Sequence, residues 1–179
     1  FLTSIDVFFS TKDAAIPVTV QVRNVVNGYP GQKILPFSEV TLNPSAVNTS
    51  ADGTTATKFT FASPVYIQSN VEYCFVVMAN SQDYNAYVAR IGETSLDTNR
   101  TISAQPYAGV LFKSQNGMTW SAEQNEDMKF TLRRAEFSNV TGEVTLTNDS
   151  LGTRTLKQNA LRTTNGCLLY TSDAADDTC

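Results

Sequence analysis

The chain contains no histidine, and that absence removes more chemistry than any residue present supplies. A Ser-His-Asp triad, a Cys-His pair and nearly all zinc sites need an imidazole, so none can be assembled from these residues alone. Paired carboxylates remain, since glycoside hydrolysis uses two of them on either side of the scissile bond. The nearest set is Glu123, Glu126 and Asp127, on a polar stretch after Trp120. The plainer reading of that stretch is a solvated acidic turn. Asp52-Gly53 offers oxygen ligands for calcium, yet it also has the composition of an ordinary turn. Cys74 falls in an apolar, strand-like run, and a buried thiol is inert. No Gly-rich phosphate loop is present. The expectation is therefore no catalytic residue, no cofactor or cofactor-binding residue and no metal ligand, in a protein that is not an enzyme.

Recognition by surface contact is the chemistry left open. Tyr29, Tyr84, Tyr87 and Trp120 stand at or near expected turns. Exposed aromatic rings stack on sugars or anchor a protein partner. Each has a plainer alternative as a core residue or turn brace; Trp120 could plug one end of the fold. The adjacent basic pair Arg133-Arg134 reads as two strand residues on opposite faces.

These residues must be carried by strands. In the stretch 57–67, Phe59 and Phe61 alternate with Lys58, Thr60 and Ala62, a period of two that suits a strand with one buried face. The stretch Tyr73-Cys74-Phe75-Val76-Val77-Met78-Ala79 is apolar on both faces and is expected in the middle of a sheet, beyond a polar turn at Gln68-Ser69-Asn70. Residues 2–10, 18–23 and 86–91 read as further strands, with Ile5, Val7 and Phe9, then Val18, Val20 and Val22, on one face. A turn is expected at Asn27-Gly28-Tyr29-Pro30-Gly31, followed by a short strand at 34–42 interrupted by Pro36 and a polar loop at 43–55. Asn116-Gly117 between apolar runs at 110–114 and 118–120 is a strong hairpin cue. An acidic loop at 121–127 leads to a strand in which Met128, Phe130 and Leu132 alternate with Lys129, Thr131 and Arg133. No sustained helical period occurs. The fold class expected is all-β, an antiparallel β-sandwich resembling a jelly roll, with about eight strands.

The two ends are read apart from the rest. The string Cys167-Leu168-Leu169-Tyr170-Thr171-Ser172-Asp173-Ala174-Ala175-Asp176-Asp177 looks like a transposon-end sequencing adapter translated in one frame; a short amphipathic tail is the alternative. Phe1 lies inside a strand-like pattern and is not a methionine. The expectation is a gene fragment cut at both ends, with residues 167–179 set aside as not native. Residues 1–137 then form the β-sandwich domain, and 138–166 a linker or the start of a further β-rich segment. Setting aside Asp173, Asp176 and Asp177 moves the formal charge from −4 to −1. That balance, without a basic run, argues against a nucleic-acid groove. No apolar run reaches the roughly 18 residues of a membrane-spanning helix, so no membrane insertion is expected. Cys74 remains as the single cysteine, which rules out a disulfide framework.

Several strings, in this order, resemble a known family. They include Ile5-Asp6-Val7-Phe8-Phe9-Ser10-Thr11-Lys12-Asp13, Ile16-Pro17-Val18-Thr19-Val20-Gln21-Val22-Arg23 and Val26-Asn27-Gly28-Tyr29-Pro30-Gly31. Further along come Phe59-Thr60-Phe61-Ala62-Ser63-Pro64-Val65-Tyr66, Gly109-Val110-Leu111-Phe112-Lys113-Ser114 and Asp127-Met128-Lys129-Phe130-Thr131-Leu132. The chain is similar over most of residues 1–137 to a domain of unknown function found in large virion structural proteins of tailed phages, especially myoviruses of cyanobacteria. The resemblance implies a non-enzymatic part of a tail, baseplate or fibre, made in the bacterial cytoplasm and located in the virion. Its implied partners are other virion structural proteins, further copies of itself, or a host surface glycan. It brings no catalytic residues. The alternatives are a carbohydrate-binding module and the accessory domain of a polysaccharide-degrading enzyme.

Overall fold

Alternating apolar side chains bury one face of the strands Leu2–Val7, Val18–Val26 and Thr57–Val65. In the computed structural model, which describes residues 1–96, 98–104 and 109–138, the fold is all-β, with small antiparallel sheets and no α-helix among the described residues. The expected segments 138–166, beyond Ser138, and 167–179 lie outside the described residues. One three-stranded sheet is formed by β1 (Leu2–Val7) at its centre, with β5 (Thr57–Val65) and β12 (Phe130–Arg134) on either side. A second has β3 (Val18–Val26) at its centre between β4 (Tyr29–Leu42) and β6 (Tyr73–Ala79). Ile5, Val7, Phe59 and Phe61 from the first sheet and Val18, Val20 and Val22 from the second belong to one buried cluster, joined by Phe9 and Val47. The expected alternation holds here, with Lys58, Thr60 and Ala62 exposed.

Two-stranded pairings complete the fold. β2 (Phe9–Thr11) pairs with β7 (Asn85–Ala86), β8 (Val88–Arg90) with β11 (Glu126–Met128), and β9 (Leu111–Lys113) with β10 (Ser121–Glu123). Among the described residues twelve strands stand where about eight were expected, because long runs break where they change partner. The breaks at Phe8, Tyr87 and Lys129 fall in one row: Tyr87 N donates to Phe8 O and Lys129 N to Tyr87 O, both at 2.9 Å. At this row β1 gives way to β2, β7 to β8, and β11 to β12, so three strands exchange neighbours without losing backbone hydrogen bonds.

Several local expectations are corrected. The first turn is the two residues Asn27 and Gly28, at φ 52° and 79°, the pattern of a type I′ hairpin. Pro30 is already in β4, an end strand that tolerates a missing N–H. The strand at 34–42 begins earlier and continues through Pro36 with a bulge, where Phe37 takes φ 62° and Ser38 Oγ donates to the carbonyls of Val22 and Leu35. β6 lies at the end of its sheet, not the middle. On its outer face Val76 lies opposite Gln21 of β3, and Arg23 of β3 reaches Met78, its Nη2 donating to Sδ at 3.3 Å. The chain between β5 and β6 passes from one sheet to the other. The Asn116-Gly117 hairpin has a longer loop, residues 114–120. Asn116 Oδ1 accepts from the N–H groups of Met118 and Thr119, and the returning strand is drawn from the expected acidic loop. Leu132, expected on a buried face, is 52% exposed, since it sits on an end strand beside a cavity.

Candidate functional site

The acidic stretch becomes a clamp. Glu126, on β11, is only 6% exposed. Its Oε2 accepts from Lys113 Nζ at 2.5 Å, and its Oε1 accepts from Arg90 Nε at 2.8 Å and from Arg90 Nη2. Lys113 is on β9 and Arg90 on β8, so one carboxylate ties three strands together. Lys113, then Arg90, holds the Glu126 carboxyl below the usual carboxylate range. A general acid needs the opposite, a raised pKa. Glu123 lies 3.9 Å from Lys113 Nζ, and Asp127 Oδ1 accepts from the N–H of Met128. The three carboxylates are arranged around cations and backbone.

Asp52 has a similar local role. Its Oδ1 accepts from the hydroxyl and N–H of Thr54 at 2.8 and 3.1 Å, and these bonds lower its pKa. Among the described residues no group of three or more His, Cys, Asp or Glu side chains is placed to hold a metal ion. Cys74 is a half-buried free thiol, pushed up by burial.

The four aromatics occupy different settings. Tyr84 donates its hydroxyl to Ile16 O at 2.5 Å and sets its ring edge-on to Phe9; burial, then Asp13, raises its pKa. Tyr87 donates to Ser50 O at 2.6 Å. Its ring presses on Gly53, where a Cβ would meet ring carbons at 3.1 Å and φ is 68°. Trp120 is half-buried, with Nε1 enclosed and without a hydrogen-bond partner among the described residues. Tyr29 is 52% exposed and leans on Phe112, ring centroids 5.3 Å apart. Among the described residues these four rings do not pair with one another.

A different feature is an apolar opening beside the core. A cavity of about 380 Å³ lies between the ends of the two three-stranded sheets, with Phe1, Ile67, Tyr73, Phe75, Leu132 and Arg134 among its walls. Phe1 also packs on Tyr66 and Phe137, two rings that are 63% and 69% exposed. Sequence reasoning missed this feature because its walls come from β1, β6 and β12, which are far apart in the chain. No local spacing marks such a meeting.

No protein-family model matches the chain, and no curated protein or solved structure matches it either. No helix among the described residues is long and apolar enough to cross a membrane.

Proposed function

We propose that residues 1–137 are a non-enzymatic structural module of a tailed-phage virion, a part of the tail, baseplate or an attached fibre. The ordered series of strings between Ile5 and Phe137 that resembles the virion domain carries this reading. The fold is compatible with it. Two three-stranded antiparallel sheets contribute to one core, which supports reading them as the leaves of a β-sandwich, a scaffold that would offer loops and strand edges to neighbouring subunits. The exposed rings of Phe1, Tyr66 and Phe137 supply apolar anchor area of the kind that dominates interface energetics. The clamped state of Glu126 favours a structural over a catalytic role for the acidic stretch.

The test is immunogold labelling, with antibody raised against this chain, of phage particles whose genome encodes it. Label on the tail or baseplate is the expected result. Purified particles without label or the polypeptide would overturn the reading.

A second reading, glycan recognition, is favoured by one observation: the Tyr29 ring is half exposed and held from behind by Phe112, the posture of a ring that stacks on a sugar. The two readings are compatible, since a tail protein can attach to host glycans.

A further inference from the structure

The two three-stranded sheets differ at their flanks. On one flank β4 and β5 lie against each other. On the other the end strands are β12 and β6, and the cavity lies between them, with Tyr73, Cys74 and Phe75 on one wall and Leu132 and Arg134 on the other. Among the described residues β6 pairs with β3, and β12 with β1. Among the described residues, each therefore has one edge with no strand beside it. Exposed edges are ordinarily guarded by charge, proline or a bulge. β6 has none of these: its seven residues, Tyr73–Ala79, include no charged side chain and no proline, and its register against β3 runs without a shift. Among the described residues the charged side chain on the cavity wall is that of Arg134. Its neighbour Arg133 is paired with Asp6, whereas Arg134 has no ion pair among the described residues.

We propose that this seam accepts an extended segment from another chain, one with apolar side chains at alternate residues and a carboxylate that meets Arg134. The proposal deepens the assembly reading above and rests on it. Main-chain hydrogen bonds to the open edge of β6 supply affinity, and every second side chain enters the cavity. The carboxylate lies against the Arg134 guanidinium, whose fork matches it with two parallel hydrogen bonds. A simple amphipathic acid could fill the same cavity, but it would leave the β6 edge unpaired. The unguarded edge therefore favours a strand as the occupant.

The test uses the full chain carrying Cys167→Ser and Cys179→Ser, so that Cys74, on the cavity wall, is the single thiol. The probes are a panel of synthetic peptides of about seven residues, the length of β6. They alternate Val, Ile, Leu or Phe with Thr, and each is made with a free C-terminal carboxylate and as its amide. Sodium octanoate is the small-acid control. Binding is followed by fluorescence anisotropy and by the rate at which a thiol reagent modifies Cys74. The expected result is that at least one free-acid peptide binds and slows modification about tenfold. Arg134→Gln should then weaken that peptide by about tenfold, roughly the loss of one charge-assisted contact, and leave its amide unaffected. Leu132→Glu, at a half-exposed position, should abolish binding of both forms, with circular dichroism showing an intact fold. Failure of every peptide to protect Cys74 would overturn the proposal, as would protection by octanoate alone or equal weakening of acid and amide by Arg134→Gln. Tail labelling without peptide binding would overturn the seam only; peptide binding with unlabelled particles would overturn the virion reading only.

Discussion

Arg133 sets its guanidinium on Asp6, with Nη2 and Nε 2.7 and 2.9 Å from Oδ2. Asp6 is 2% exposed on the central strand of its sheet, and its other carboxylate oxygen is enclosed without a hydrogen-bond partner among the described residues. A buried carboxylate is tolerated only when it is paired. Arg134, one residue on, points to the cavity, as the strand period of two requires. Arg133→Met should therefore lower the urea midpoint clearly, and Arg134→Met should leave it nearly unchanged. Asp6→Asn in the Arg133→Met background should recover much of the loss, because no buried charge remains. Equal effects of the two arginine substitutions would refute this account.

The row of Phe8, Tyr87 and Lys129 is where three strands change partners, and Lys129 Nζ lies 4.8 Å from the Phe8 ring centroid. A cation over an aromatic face at an exposed site stabilises by about 0.5–1 kcal/mol. Lys129→Met keeps the stem and removes the charge, so a loss of roughly that size is expected in denaturant unfolding. Phe8→Leu should cost a similar amount, and the double variant should lose less than the sum of the two. Strict additivity in that cycle would show that the contact contributes nothing.

How much of this was legible in the sequence depends on where the deciding neighbour lies. The faces of β3 and β5 could be read directly, because Val18, Val20 and Val22, and Phe59 and Phe61, carry the period within one strand. The place of β6 could not. Its apolar outer face implied a central strand, yet the cover comes from Gln21 and Arg23 on β3, residues whose polarity pointed to solvent. Breaks at Phe8, Tyr87 and Lys129 were invisible for the same reason: each is set by a change of partner, and no turn residue marks it. The acidic stretch was read as a loop because the cations that order it, Arg90 and Lys113, arrive from other strands. The cavity depends on two distant end strands and left no local trace. Tyr29, Tyr84 and Tyr87 were found as aromatics near turns, but which of them face solvent is decided by Phe112, Ile16 and Ser50.

Stability should depend on pH at both extremes. The carboxyls of Asp13, Asp52 and Glu126 are all lowered in the folded chain: Asp13 chiefly by the N–H of Ile16, Asp52 by Thr54 and Glu126 by Lys113. A lowered carboxyl contributes stability that is complete above its unfolded pKa of about 4 and is lost as pH falls through the folded value. Tyr84 and Cys74 are raised by burial, so their contribution is present below their unfolded pKa values, about 10 and 8.5, and is lost as pH rises beyond them. Urea midpoints measured from pH 3 to 11 should show a plateau near neutrality with a fall on each side. Glu126→Gln should shrink the acid fall and Tyr84→Phe the alkaline one. An acid limb unchanged by Glu126→Gln would remove the clamp from the explanation.

The aromatic residues separate into braces and surface, and that difference can be measured. Tyr87→Phe deletes the hydroxyl that donates to Ser50 O and should cost about 0.5–1.5 kcal/mol, the usual net value of such a bond. Gly53→Ala should be worse, since a Cβ would press on the Tyr87 ring and the backbone there is at positive φ. Tyr29→Ala should change stability much less, because half of that ring is already in water and its loss opens no core cavity. Its effect should appear in recognition instead. On a glycan array, binding by the full chain that disappears with Tyr29→Ala but survives Tyr87→Phe would establish the sugar-stacking role of the exposed ring. An array without signal for the unmodified chain would withdraw the glycan reading and leave the virion-assembly proposal to its own tests.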